Sequence, residues 1–434
     1  MTSLNLQVLS QFREQVYQLL HPSRDAAFEI LDAITQSPGA RSAVEVSLAP
    51  GMQRKFSSVH KGLARMEVDT PRLRSLLVRT AEDQEHFLVA GYAVWALDHT
   101  PYPRHAAPTV ADRGFVHGAD GPEIGHQYSL LGRVMHPTGS WVGLTDIRRI
   151  PTTTTPTQLG AEQVADLKKL CPTPFILTAD SEYFTDALWA QVEPGRCEAL
   201  IRLKSNRVMY DAPPAPTGRR GRPPAHGAKL KLNQPASLRA AERTYRLEET
   251  DGSWVTLDLW CNVHERRWPT RPVCLIRVQQ FNPDGAPRFQ RPLWLVWTGP
   301  TDMNWPTFWQ VYLRRVCLES LHQFFKNSLT WTKTRLGYSA HEERWTWLVA
   351  LAYWQLLLAL PAARDVWRPW EKPTADGRQL SPGRVQRDMR RILAELGTPA
   401  SPPKPRGNPR GRAKGYRPAP RPRYPVVCKS AAYG

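Results

Sequence analysis

The sequence predicts an α/β protein: a mixed-sheet core interrupted by a β-rich insertion, preceded by a helical region and followed by a basic tail. Three observations lead to this prediction. The first 88 residues carry apolar positions at helical spacing, and from Gly91 onward short apolar strand patterns alternate with helical ones. The last part of the chain is rich in Pro and Arg, a composition that does not form a packed core.

The charge of the chain favours a polyanionic partner. Lys and Arg number 58 against 39 Asp and Glu, which gives a formal net charge of +19. Neutralising phosphates with basic residues releases condensed counterions, so nucleic acid is the expected partner. A basic tail that only improves solubility is the alternative. The six cysteines lack CxxC or zinc-ligand spacing, which argues against a zinc module and indicates a reduced, cytoplasmic environment.

Changes in these patterns predict five parts of the chain. They are a helical N-terminal DNA-binding region (1–88), a first core segment (89–204), the β-rich insertion (205–300), a second core segment (301–365) and a basic Pro/Arg-rich tail (366–434). The apolar run at 345–363 is long enough to cross a membrane. Because it contains Gln355 and Pro361 and stands alone, we interpret it as a buried core helix and expect no membrane partner.

Two aspartates follow apolar strand patterns. Asp98 comes after AVWAL, and Asp180 comes after FILTA. A carboxylate at the end of a buried strand has a rigid support at the edge of the sheet. The alternative is that each Asp only begins a turn, which is common after strands.

A predicted helix over 307–327 carries Tyr312, Arg315, Glu319 and Lys326. At about 100° per residue these four side chains fall on one narrow face. Such a face is often a solvated surface or a series of ion pairs. Here its flanks are apolar and aromatic, so we expect it to border a cleft.

The spacing of these four residues, Y-x2-R-x3-E-x6-K, resembles the YREK signature of insertion-sequence DDE transposases. Those enzymes have an RNase H-like core with a β-rich insertion. Asp98 in ALDHT resembles the first acid of the family, Asp180 in LTADSEYF the second, and Glu319 the third. The resemblance implies that these three residues are catalytic and hold two Mg²⁺ ions, for which Mn²⁺ can substitute. Hard divalent ions select such oxygen ligands.

The resemblance also implies residues that bind DNA phosphates. They are Tyr312, Arg315 and Lys326 of the signature, the basic residues Arg202, Lys204 and Arg207 before the insertion, and Arg220 and Arg222 in an RGRP segment similar to an AT-hook. Alternatives remain for each group. Arg315 and Lys326 can balance the charge of Glu319, strand alternation can place Arg202 and Lys204 on an ordinary solvent face, and the RGRP segment can be a plain phosphate-binding loop.

The implied function is cut-and-paste transposition at the terminal inverted repeats of an insertion sequence. Its partners would be double-stranded end and target DNA and a second copy of the chain, in the bacterial cytoplasm at the nucleoid. Trp294 and Trp297 either stack on an extruded base, as a Trp does in related enzymes, or lie in the core. Two alternatives to transposition are a domesticated nuclease without strand transfer and an inactive, transposase-derived DNA-binding protein.

Overall fold

The structure of the chain is a computed structural model that describes residues 2–84, 87–118, 121–215, 222–375, 377–405 and 411–428. Within these residues the helices are α1 (Thr2–Gln18), α2 (Arg24–Gln36), α3 (Ala43–Val46), α4 (Phe56–Arg65), α5 (Thr70–Glu82), α6 (Pro156–Leu170), α7 (Asp186–Trp189), α8 (Trp305–Leu313), α9 (Val316–Asn327), α10 (Ser339–Ala359) and α11 (Pro382–Leu396).

The strands of the same residues are β1 (Leu20–His21), β2 (Glu67–Val68), β3 (Leu88–Val89), β4 (Tyr92–Pro103), β5 (Gly114–Gly118), β6 (Gly121–Val134), β7 (Val142–Ile150), β8 (Phe175–Ala179), β9 (Cys197–Leu203), β10 (Val208–Asp211), β11 (Lys229–Lys231), β12 (Arg243–Glu248), β13 (Trp254–Glu265), β14 (Val273–Phe281) and β15 (Leu293–Trp297). Parallel and antiparallel pairs both occur. The predicted mixed α/β architecture with a large mixed sheet is therefore confirmed.

The chain forms two compact units. Unit 1 comprises Met1–Gln84, His99–Leu159 and Cys317–Gly434, and unit 2 comprises Glu85–Asp98 and Gly160–Val316. The chain passes from one unit to the other after Gln84, within β4, within α6 and after the first residue of α9.

Unit 1 is built around α10, whose residues from Trp345 to Ala359 are all buried. This helix packs against α1, α2, α4, α11 and strand β7. Its Gln355 is fully buried and donates a hydrogen bond of 3.1 Å to Asp32 of α2, which also forms a bidentate ion pair with Arg13 of α1. A buried amide satisfied in this way marks a core helix.

One helix of the described residues, Ser339–Ala362, is long and apolar enough to cross a membrane by length and composition, and 83% of its most apolar window is buried in the fold. In the sheet of unit 1, β6 lies between the second half of β4 and β5, and it also pairs with β7. Strands β6 and β7 form an antiparallel hairpin whose connecting segment contains Pro137.

Unit 2 contains a sheet that begins with three parallel strands, β4, β8 and β9. It continues from β9 through antiparallel β15, β14, β13, β10 and β11, and β12 pairs with the other part of β13. The strands β10–β15 lie within the range predicted as β-rich. They extend the sheet from the edge of its parallel part.

The continuous helix predicted over 307–327 is wrong. Helix α8 ends at Leu313 and α9 begins at Val316. Between them the amides of Arg314 and Arg315 donate to the carbonyls of Val311 and Tyr312, three residues back, at 3.0 and 3.1 Å. These shorter-range bonds tighten the turn and interrupt the α-helical ladder. The sequence has no Gly or Pro there to signal the break.

The C-terminal part of the chain is more ordered than its composition predicts. Helix α11 buries Val385, Met389 and Ile392, which recur at helical spacing, and it packs against α2 and α10. Farther on, the amide of Val427 donates to the carbonyl of Arg113 at 2.7 Å, and Val427 forms a parallel bridge with Gly114 of β5. The end of the described tail is thus added to an edge strand.

Candidate active site

Asp98, Asp180 and Arg202 directly follow the last registered row of three adjacent parallel strands. Leu97 of β4 is in register with Ala179 of β8, which is in register with Ile201 of β9, and the three polar residues are the next along each chain. In parallel strands a registered row points to one side of the sheet. The two aspartates are therefore neighbours, and Nη1 of Arg202 lies 3.7 Å from Oδ1 of Asp180.

The expectation that both aspartates end their strands holds for one of them. Strand β8 ends at Ala179, immediately before Asp180. Strand β4 instead continues past Asp98 to Pro103, and it is only the pairing with β8 that stops at Leu97. The physical reason is that the later part of β4 finds a second partner in β6, so its backbone groups remain paired beyond the acid.

Tyr312, near the end of α8, and Arg315, in the break between α8 and α9, complete the cluster in unit 2. Arg315 donates from Nη1 to Oδ2 of Asp98 at 3.2 Å, and both side chains are largely buried. Tyr312 is buried, and burial raises the pKa of its hydroxyl. The charges of Arg315 and Arg202 act on this pKa in the opposite direction, and that of Asp180 raises it further. Tyr312 thus lies within electrostatic range of all three groups.

The other two residues of the predicted signature, Glu319 and Lys326, lie on α9 in unit 1. Glu319 is exposed. Lys326 donates from Nζ to Oγ1 of Thr100 at 2.7 Å, and burial lowers the pKa of its ammonium group. Because the helix is interrupted, the single polar face calculated for the four residues is not present as one continuous helical face.

The basic residues before the insertion lie on the solvent side. Arg202 and Lys204 are exposed while Ile201 and Leu203 are buried, the alternation of an ordinary strand. Lys204 and Arg207 also line an open cleft of about 450 Å³, together with Asn206, Val208, Tyr210, Glu265 and Arg266. Sequence patterns did not single out Asn206 or Arg266. Arg266 follows the end of β13, far along the chain from Lys204, so only the fold brings it to the cleft.

The remaining predicted residues contribute little to the candidate site. Arg220 lies outside the described residues, and Arg222 is exposed. Trp294 and Trp297 are 2% and 0% exposed, so both belong to the core, which was the second of the two interpretations. Their rings are not available for stacking on a base.

The donor chemistry of the two aspartates fits a divalent cation. Oδ1 of Asp180 is buried and accepts no hydrogen bond from the described residues. Its nearest charge partner is Arg202 at 3.7 Å, so the oxygen lacks a hydrogen bond although it has an ion pair. Carboxylate oxygens are the ligands that Mg²⁺ selects. Among the described residues no group of three or more His, Cys, Asp and Glu side chains is close enough to hold a metal ion. Within unit 2, Asp98 and Asp180 are the two carboxylates of this cluster that could hold such an ion.

Neighbouring carboxylates can bind the divalent ions that assist phosphodiester cleavage, and arginines beside them can bind phosphate. A sequence-family profile described as DDE superfamily endonuclease matches residues 15–257, more than half of the chain. The chain belongs to this family, and its mixed α/β fold is consistent with the RNase H-like fold of DDE nucleases. The matched range includes Asp98 and Asp180 and ends before Glu319. No curated protein matches the chain significantly.

Family membership settles the broad chemistry. It indicates an endonuclease that acts on DNA, and endonucleases of this superfamily generally use divalent metal ions.

Proposed function

We propose that the chain is a DDE transposase that cleaves DNA at the terminal inverted repeats of an insertion sequence and transfers the freed strands to a target. The observation that carries the proposal is that Asp98 and Asp180 directly follow the registered residues Leu97 and Ala179 of two adjacent parallel strands in a DDE endonuclease. The match of Tyr312, Arg315, Glu319 and Lys326 to the YREK spacing supports transposition over simple cutting.

In this proposal Asp98, Asp180 and Glu319 are the catalytic residues and hold two Mg²⁺ ions. When bound, the metal ions supply Lewis-acid stabilisation of the attacking and leaving oxygens of the phosphodiester. Arg315 fixes the orientation of the Asp98 carboxylate through its 3.2 Å hydrogen bond. Arg202 stands beside Asp180 with half of its side chain exposed, so its outer N–H groups can receive a DNA phosphate.

Further basic residues extend the proposed DNA path. Lys204 and Arg207 face the open cleft at the end of β9, and Arg222 and Arg220 follow in the insertion. Lys326 adds a cation on α9. We propose that two copies of the chain bridge two DNA ends, and that the protein acts on nucleoid DNA in the bacterial cytoplasm.

The test is an assay with the purified full chain, Mg²⁺ and DNA that carries the ends flanking its gene. Excised linear DNA and joined products are expected, and EDTA should abolish both. Asp98→Asn, Asp180→Asn and Glu319→Gln should each remove cleavage by at least about a thousandfold while thermal unfolding stays cooperative. The matched control is Asp284→Asn, an exposed turn aspartate whose carboxylate bonds only the local amide of Ala286 among the described residues.

Three outcomes separate the alternatives. Cleavage without joined products would replace transposition by a nuclease activity. Specific binding of the ends without any cleavage would leave an inactive DNA-binding protein. Full activity of Glu319→Gln would remove this residue from the proposed site and with it the signature argument.

A further inference from the structure

Two tryptophans stand exposed on the segment between α10 and α11. Trp367 is 50% exposed and Trp370 is 76% exposed, although most of the large aromatic residues of the chain are buried. Both lie on residues 364–375, which we call the tryptophan loop. Indole rings in water carry an unfavourable apolar surface, so an exposed pair on one short loop calls for a partner.

Arginines of α11 hold the tryptophan loop in place. Arg384 contacts both carboxylate oxygens of Asp365 at 2.7 Å, and Nη2 of Arg387 donates to Oε1 of Glu371 at 2.8 Å. Nη1 of Arg387 also donates to the carbonyl of Val366 at 3.0 Å. These charge-assisted contacts, together with prolines in the loop, fix the backbone that carries the indoles. The rings are therefore presented before any partner binds, which lowers the entropy cost of binding.

The charge of the loop selects the partner. Its two acids, Asp365 and Glu371, are both neutralised by α11, and the Arg387 pair lowers the pKa of Glu371 to about 2. Its cations Arg364, Arg368 and Lys372 are exposed, and the Arg368 guanidinium lies 5.6 Å from the centre of the Trp370 ring. The loop thus presents aromatic rings among cations with its acids already paired.

We propose that the tryptophan loop binds single-stranded DNA by stacking Trp367 and Trp370 on unpaired bases, while Arg364, Arg368 and Lys372 contact the phosphates. Stacking on indoles needs bases whose faces are free. A duplex covers these faces along its length, so the loop should bind single strands or frayed ends of DNA. A second copy of the chain fits less well, because it also carries a net charge of +19. The source of such strands rests on the proposed cleavage function, whereas the binding itself does not.

The test measures binding of the full chain in EDTA, where no cleavage occurs, to oligodeoxythymidylate and to an abasic oligonucleotide of equal length. Trp367→Ala and Trp370→Ala should each weaken thymidylate binding about 5- to 100-fold, the range for loss of one stacked base. Neither substitution should weaken binding of the abasic strand. Trp370→Phe, which keeps an aromatic ring, should retain most of the affinity. The matched control is Phe289→Ala, which removes another exposed aromatic ring that lies 6.0 Å from an arginine, Arg288.

The proposal is overturned if the double tryptophan variant binds thymidylate as tightly as the wild type. Equal losses on thymidylate and abasic strands would also overturn it, because stacking would then contribute nothing. A change in the oligomeric mass of the variants with unchanged DNA binding would make the loop a contact between copies instead. If the wild type cleaves duplex DNA but its thymidylate binding does not depend on the two tryptophans, this inference alone is refuted. If binding depends on the tryptophans but no cleavage occurs, only the proposed function is refuted.

Discussion

Nη1 of Arg315 donates a hydrogen bond of 3.2 Å to Oδ2 of Asp98, and the two side chains are only 11% and 15% exposed. The arginine lies at the break between α8 and α9, and the aspartate lies on β4 beside Asp180. One buried cation therefore balances a carboxylate that we propose as a metal ligand.

Replacing Arg315 by Met should lower the free energy of unfolding in metal-free buffer by about 2–3 kcal/mol. Removing one partner of a largely buried ion pair leaves the other charge uncompensated, at a cost of roughly 3–5 kcal/mol when burial is complete. If Asp98 binds Mg²⁺, adding the metal should restore part of the loss. Urea denaturation with and without Mg²⁺ measures both effects.

The control for this experiment is Arg246→Met, because Arg246 pairs with Glu248 on the surface and both side chains are more than half exposed. That change should cost less than about 1 kcal/mol and should not respond to Mg²⁺. Equal losses in the two variants would contradict the role assigned to Arg315.

Two tryptophan substitutions should differ widely in their effect on the free energy of unfolding. Trp297 is fully buried and donates from Nε1 to the carbonyl of Pro300 at 2.8 Å. Trp297→Ala should lower the free energy of unfolding by about 3–5 kcal/mol through the cavity it leaves. Trp370→Ala should change it by less than about 0.5 kcal/mol, as for an ordinary surface residue. Chemical denaturation of the two variants measures both changes in the free energy of unfolding. A large loss of stability in Trp370→Ala would mean that its ring supports the fold.

Val427→Pro should release the end of the tail without unfolding the protein. The substitution removes the N–H group that donates to the carbonyl of Arg113 at 2.7 Å. Limited trypsinolysis should then cut sooner after Arg423, since local opening exposes the backbone. Val427→Ala keeps the N–H group and should behave like the wild type. Identical digestion of all three proteins would argue against the docked tail.

The pair His226 and His264 should make stability depend on pH. Their ring nitrogens Nδ1 and Nε2 lie 2.9 Å apart, and burial together with the charge of His226 lowers the pKa of His264, against the opposing charges of Asp211 and Glu265. The unfolded chain then takes up the proton more readily than the folded one. Stability should therefore fall as the pH drops below about 6.5, the ordinary histidine pKa, towards the lower folded value.

Thermal unfolding of the wild type and of His264→Gln between pH 8 and pH 5 tests this dependence. The variant should lose less stability over the same interval, because it has no buried imidazole to protonate. Parallel curves for the two proteins would show that this histidine does not contribute.

Much of the fold could be predicted from periodicity. The N-terminal helices, the β6–β7 hairpin, the strands preceding Asp98 and Asp180, and α10 all follow apolar patterns that local sequence carries. The break between α8 and α9 could not be predicted, because Arg314 and Arg315 are ordinary helix-forming residues. Helix α11 was missed because its buried residues are few and lie among many charged ones.

The candidate site, like the fold, could be predicted only in part. The sequence singled out Asp98 and Asp180 by their place after apolar strand patterns and Tyr312 and Arg315 by their spacing. The family resemblance added Arg202. It gave no sign that Arg202 stands beside Asp180 or that Arg315 bonds Asp98, because such contacts depend on the register of strands far apart along the chain. The role of Glu319 stays a prediction, since this residue belongs to the other compact unit.

By itself the sequence determined the α/β class, the basic charge and the pair of aspartates that follow apolar strand patterns. These properties depend on composition and on the period of side chains along a single segment. Only the tertiary structure decided which aspartate continues within a strand, which arginine neutralises which acid, and which tryptophans remain in water. Those outcomes follow from pairing and packing between distant segments, where burial sets the cost of each charge and each ring.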